Sequence, residues 1–287
     1  MFFQLSIFTC IVLFLSGSPV PTFASAFSPE KDCLWLSAKD GERKPDGSVI
    51  LPLTINFGRF PAGNGNPALL SGLKVHYALA SGKNWRSGEV KPEPARNGAM
   101  TVRIRVGDEQ RLVLQVTAAS REQGRTIRHS AVTCYQRFGR IKHGSTASHY
   151  SGNLTDGPLE ILIKPPFNYW RQTGEPFGIT CRNRFTGVPC PVVTVLDEHL
   201  PPEKVILDTT GFTAYTSPDD AVLNSLEERS GKETLLVAES DDCRATLALA
   251  LHRNRTSHHK PFPGLLTLSG ACVLSVLTVL LKRRKTE

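Results

Sequence analysis

Several chemical signatures are missing from this chain of 287 residues. No Cys-x-x-Cys occurs, so neither a thioredoxin-like dithiol nor a zinc knuckle is encoded. No Gly-x-Ser-x-Gly occurs, and no spacing sets a base beside a nucleophile, so no hydrolase triad is legible. The glycines around residues 60–65 are not followed by Gly-Lys-Ser/Thr, which excludes a phosphate loop. Basic and aromatic residues do not interleave, so nucleic acid is not an expected partner. No amphipathic helical period persists for two turns before residue 220, and mainly β structure is what remains. Glu160 and Asp208 read as edge and turn groups, not as an acid/base pair. A non-enzymatic protein is the expectation, and no catalytic residue is assigned.

Two long apolar runs are present, one at each end. Residues 1–16 are almost wholly apolar, and Ala24-Ser25-Ala26 has the small-x-small spacing that a signal peptidase accepts. This reads as a signal peptide over 1–26, although Lys and Arg are absent from it; the alternative is a retained N-terminal anchor. Residues 262–281 carry no charge and are followed at once by Lys282, Arg283, Arg284 and Lys285. About 20 apolar residues in a helix match the hydrocarbon thickness of a bilayer. A basic cluster behind such a run prefers the cytoplasmic side. The expectation is a single-pass membrane protein with its folded part extracytoplasmic, in a periplasm-like compartment, and a basic tail over 282–287. A buried C-terminal helix is the alternative. Of the formal charge of +8, the tail holds +3 (four basic residues against Glu287), leaving +5 for the rest. That remainder is scattered, as on the solvated faces of strands.

Five cysteines lie between the two runs: Cys33, Cys134, Cys181, Cys190 and Cys243. An oxidising compartment permits up to two disulfide bonds among them and leaves one thiol over. Cys181 and Cys190 flank a turn and form a local pair. Cys33 with Cys134 is a second pairing, and the connectivity stays open.

The chain between the runs reads as two β-sandwich-like domains followed by one C-terminal transmembrane helix. An N-terminal β domain with its linker takes residues 27–155. Strand-like runs lie at 49–57, 73–79, 99–106, 111–118 and 126–138. The third and fourth alternate cleanly and are separated by a hairpin-sized connection at Gly107. Residues 139–158 are polar and glycine-rich, which sets a linker there. A prealbumin-like or Ig-like sandwich takes 156–251, with short strands at 159–163, 177–181, 192–196, 204–207, 212–215, 233–238 and 245–251. Residues 219–228 read as a short helix. A histidine-containing stalk covers 252–261.

Leu159-Glu160-Ile161, Gly174-Glu175-Pro176-Phe177, Gly187-Val188-Pro189 before Val192–Val195, and the turn at Asp208–Gly211 form a pattern. In it the second half resembles a family of bacterial envelope proteins with a C-terminal carboxypeptidase-regulatory-like domain. Some members of that family accompany nickel or cobalt uptake systems. The resemblance covers about residues 158–250. It implies a prealbumin-like fold, an accessory role beside a metal-uptake transporter, and nickel or cobalt as the metal. One departure is plain: the N-terminal histidine common in that family is absent, and the expected mature start reads Phe27-Ser28-Pro29-Glu30-Lys31-Asp32.

The metal-ligand candidates are His252, His258 and His259 in the stalk and His143 and His149 in the linker. Imidazole suits nickel, cobalt, copper and zinc alike. An incidental set of histidines on a basic stalk is the plainer reading of the same residues. Trp35, Trp85, Tyr169 and Trp170 line either a ligand surface or the core. Three functions are expected in turn: a membrane-anchored envelope accessory protein assisting nickel or cobalt uptake, an adaptor that binds protein or glycan without metal, and an envelope hydrolase.

Overall fold

A computed structural model describes residues 27–38, 41–63, 67, 70–81, 84–95, 99–107, 110–136, 157–164, 170–174, 176–218 and 231–252. Both terminal apolar runs, most of the expected linker and the expected helix at 219–228 lie outside the described residues. The first half forms β1 (Cys33–Ala38), β2 (Glu42–Arg43), β3 (Val49–Gly58), β4 (Ser71–Ser81), β5 (Asn84–Glu89), β6 (Glu93–Pro94), β7 (Met100–Val106), β8 (Gln110–Glu122) and β9 (Arg125–Gln136). The second forms β10 (Leu159–Lys164), β11 (Trp170–Gln172), β12 (Pro176–Asn183), β13 (Val192–Asp197), β14 (Glu203–Ile206), β15 (Phe212–Thr216), β16 (Gly231–Ser240) and β17 (Cys243–His252). The fold is mainly β, as expected; no α-helix occurs among the described residues.

Alternation explains the first half. Leu51, Leu53, Ile55 and Phe57 of β3 and Val102, Ile104 and Val106 of β7 all point into one core, and Val49 is buried on the same strand. Leu112, Leu114, Val116 and Ala118 of β8 meet them from the facing sheet. The chain departs from expectation at Gly107: β7 pairs with β3, and β8 pairs with β4 and β9. The two strands do not form a hairpin. Both apolar faces are buried by facing each other across the core, which side-by-side pairing would not achieve.

The halves share one strand plan. In the first, β1, β3 and β7 form one layer, with the short β2 and β6 attached, while β4, β5, β8 and β9 belong to the other. In the second, β10, β12 and β15 form one layer and β13, β14, β16 and β17 the other. Counting the principal strands of each half, the first, second and fifth face the third, fourth, sixth and seventh. That is an immunoglobulin-type plan in which the fourth strand belongs to the sheet of the third, sixth and seventh.

The larger layers fuse edge to edge. Residues 128–133 of β9 pair in parallel with residues 243–248 of β17, and β11 then takes over along residues 250–252. A nine-stranded sheet results, running from β14 at one edge to β5 at the other. Its two smaller partners lie on opposite faces. Val132 and its register partner Leu247 belong to the core under β10, β12 and β15, whereas Ala131 belongs to the core under β1, β3 and β7. A third core joins the halves: Phe27, Cys33 and Trp35 cover Leu196, Leu235, Val237 and Ala248 on the face that the three-stranded sheet leaves open.

Candidate functional site

The expected metal ligands are not brought together among the described residues. His143, His149, His258 and His259 lie outside them. Of His252 the structure describes the backbone, which ends β17 opposite Gly231 and Gln172. No three His, Cys, Asp or Glu side chains among the described residues gather as a metal site. Trp35 is a core residue, set edge-on to Phe60 with ring centroids 5.6 Å apart. Tyr169 lies outside the described residues, and Trp85 is half-buried on β5.

A polar cleft of about 500 Å³ opens where the residues before β1, the β8–β9 turn and the β16–β17 turn converge. Because β9 and β17 run parallel, both hairpin turns arrive at the same end of the shared sheet. Arg244 forms the floor and is 2% exposed. Its Nε donates to Glu239 Oε1 at 2.8 Å, its Nη2 to Glu122 Oε2 at 2.7 Å, and its Nη1 to the Asp32 carbonyl at 2.6 Å and to Glu122 Oε1. Lys31 donates to both Glu239 oxygens at 3.0 and 2.8 Å. The guanidinium also lies 5.5 Å from the centroid of the buried Phe27 ring. Partial burial pushes the Glu122 carboxyl up, but the Arg244 hydrogen bonds and charge outweigh it and hold the group below its usual value. Two acids and two bases neutralise each other here. The arrangement links three chain segments, and the cost of burying its charges offsets much of what their pairing contributes to stability. Sequence reading missed it because the four residues span positions 31 to 244.

A second buried group of charges lies along β16. Lys232 sits 2.8 Å from Asp197 with its side chain fully enclosed, and Thr234 Oγ1 donates to Asp197 at 3.1 Å. Glu233 crosses to the first half, accepting from Ser37 Oγ at 2.9 Å. Burial, assisted by the nearby Glu198 charge, pushes its carboxyl up to about 7.

Among the described residues, a nucleophile and base approach each other at Ser120 and His129, with 2.8 Å between Oγ and Nε2. Both are buried, and Phe57 packs edge-on against the imidazole. Burial and the Arg244 charge push His129 down to about 4. Its Nδ1 finds no hydrogen-bond partner among the described residues, so nothing there orients the ring as a triad requires.

Exposed apolar side chains are concentrated. Among the described residues the large ones are Phe185, Val188, Ile206 and Phe212, at 63%, 38%, 68% and 36% exposure, and all belong to the second half. Phe185 and Val188 sit on the turn after β12, Ile206 ends the edge strand β14, and Phe212 starts the edge strand β15. The turn at 208–211 anchors this region as the sequence predicts: Asp208 Oδ1 accepts from the Thr210 amide at 2.8 Å and the Phe212 amide at 3.0 Å. Gly211 has φ of 75°, and a Cβ there would lie 2.4 Å from the Cys181 carbonyl oxygen, so only glycine fits.

The five cysteines among the described residues are thiols in this structure. Cys33 and Cys134 do not meet. Cys33 lies in the third core, while Cys134 is the register partner of Val113, on the opposite face of the shared sheet. Strand alternation therefore overturns that pairing.

Fold and site together define a β-sandwich protein of paired immunoglobulin-type layers, with a charged latch between its halves and an apolar rim on one of them. No protein-family model and no curated protein matches the chain. Solved structures that match include the four N-terminal Ig domains of Dscam1 isoform 8.4, at 12% identity and TM-score 0.19 over 76% of this chain and 47% of that one. A Ca2+-stabilized adhesin with which an Antarctic bacterium binds ice matches at 10% identity and TM-score 0.21, over 80% of this chain and 50% of that one. The chain thus spans about half the length of the structures it matches, and likenesses at these TM-scores carry no argument.

Proposed function

We propose that this chain is a non-enzymatic, membrane-anchored binding protein of the cell envelope, which holds a protein partner along the rim of its second half. One observation carries the reading: every large exposed apolar side chain among the described residues lies between positions 185 and 212. Scattered single apolar residues need no explanation, whereas their confinement to one turn and two edge strands is what a docking rim requires. The edge strand β14 adds unpaired backbone groups to which an extended segment can pair. The anchor is the apolar run at 262–281, with the basic tail inside.

The test is site-specific photo-crosslinking of the full chain in its membrane. A photoreactive residue at 185 or 206 is expected to give a defined adduct. The same residue at Lys74, on the far half, gives none. Equal adducts at all three positions, or none at any, would remove the docking reading. Nickel or cobalt handling rests on the resemblance and on His258 and His259. Saturable titration of the untagged full chain with either ion, lost on replacing both histidines, would support that version. A flat titration leaves the metal-free adaptor.

A further inference from the structure

Beyond that reading, the turn carrying Phe185 and Val188 closes over a pair of thiols. Arg182 and Pro189 form an antiparallel bridge, and the Asn183 amide donates to the Val188 carbonyl at 2.7 Å. Continuing that register inward, Cys181 and Cys190 stand directly opposite each other, and the Cys190 amide donates to the Cys181 carbonyl at 3.1 Å. Directly opposed residues of this kind have Cα atoms about 5.5 Å apart, within the span of roughly 4.4–6.8 Å that a disulfide bridges. Both side chains point into the same core.

The turn is already shaped for closure. Asn183 Oδ1 accepts from the amides of Phe185 at 3.0 Å and Thr186 at 3.1 Å, and Gly187 takes φ of 69°. Cys243 belongs to the same core, but its Sγ is engaged at 2.6 Å with Ser240 Oγ in the β16–β17 hairpin. Cys33 and Cys134 are elsewhere, as described above.

We infer that Cys181 and Cys190 are a redox pair that closes to a cross-strand disulfide in an oxidising thiol pool, with Cys33, Cys134 and Cys243 remaining thiols. A thiolate is the attacking species. One of the two, as its thiolate, attacks one sulfur of a disulfide donor and releases one donor thiolate. The other then attacks the protein sulfur of the mixed disulfide and releases the second. The two protein thiols lose two electrons and two protons, and the donor leaves as two thiols. Closure takes place during folding or when the exposed turn opens, because the closed core buries both sulfurs.

The experiment uses the purified full chain in detergent, refolded with oxidised glutathione, alkylated with N-ethylmaleimide and digested with trypsin without reduction. Cleavage at Arg171, Arg182, Arg184 and Lys204 separates the two cysteines, so the bond appears as peptide 172–182 linked to peptide 185–204. The expected result is that linked peptide, lost on reduction, with Cys33, Cys134 and Cys243 alkylated. The variant Cys243→Ser is expected to keep the link, and Cys190→Ser to leave Cys181 alkylated. Alkylation of both Cys181 and Cys190 after glutathione treatment, or a link from either to Cys243, would overturn the proposal.

Discussion

The two halves repeat one strand plan in different surroundings. In the first, β3 and β7 alternate between buried apolar and outward positions, because one face meets a core and the other meets water. In the second, β16 and β17 bury almost every described side chain: a three-stranded sheet covers one face and Phe27, Cys33 and Trp35 cover the other. The number of covered faces, not the strand plan, sets the pattern of apolar residues. Burial on both faces also traps charges, so Lys232, Glu239 and Arg244 are enclosed and each is paired.

The comparison breaks first at the third core. Trp35→Ala removes the largest fully buried side chain from the layer between the halves. A loss of about 3–5 kcal/mol is expected, as for other buried aromatic deletions. Urea unfolding followed by circular dichroism is expected to show one earlier transition for the whole β signal. Two separated transitions would mean that the halves are held independently.

Arg244→Met is the next largest. It strands Glu122 and leaves Glu239 with Lys31 alone, and removing one member of a buried charge group costs about 3 kcal/mol. A thermal melt of the variant checks it. The triple replacement of Arg244, Glu122 and Glu239 by apolar residues of similar volume is expected to recover most of that loss.

Acid sharpens the contrast between the halves. Glu233 in the second half has a folded pKa raised to about 7 from 4.5, so it remains protonated in the fold while the unfolded chain ionises. Its effect is that stability falls as pH rises from about 4.5 to about 7. His129 in the first half is lowered to about 4 from 6.5, so the unfolded chain takes up the proton first. Its effect is the reverse: stability is lost as pH falls from about 6.5 to about 4. The two oppose each other over most of one window. Glu233→Gln is therefore expected to lose more stability on acidification than the parent, and His129→Gln less, by denaturant midpoints at pH 4.5 and 7.

The smallest expected effect lies at the rim. Ile206→Asp changes an exposed end residue and is expected to shift stability by less than about 0.5 kcal/mol. It is nevertheless expected to abolish the adduct formed from position 185. An unchanged adduct would separate the turn from the edge strand.

Much of the fold was legible because period-2 patterns are local. The runs at 49–57, 111–118, 192–196 and 245–251 lie within strands, the run at 99–106 does so from Met100 onward, and Asp208–Gly211 is a turn. Polar β5 and the two- and three-residue strands β2, β6 and β11 escaped, since their pairing depends on neighbours and not on their own composition. The pairing of β7 with β8 was misread, since a four-residue connection suits a hairpin and a crossing between layers equally well. The site was less legible still. The latch brings together Lys31, Glu122, Glu239 and Arg244, and no spacing in the chain announces them.

Local chemistry in the sequence by itself determined the strands, the turn at Asp208, the opposed cysteines flanking residues 182–189, and the apolar runs at both ends. Each depends on neighbours a few residues apart. Only the tertiary structure decided that β9 and β17 run side by side, that Cys33 and Cys134 face opposite sides of one sheet, and that four distant charges close over a single cleft. Those outcomes depend on which faces are left uncovered once every strand has formed, and burying those faces is a property of the whole chain.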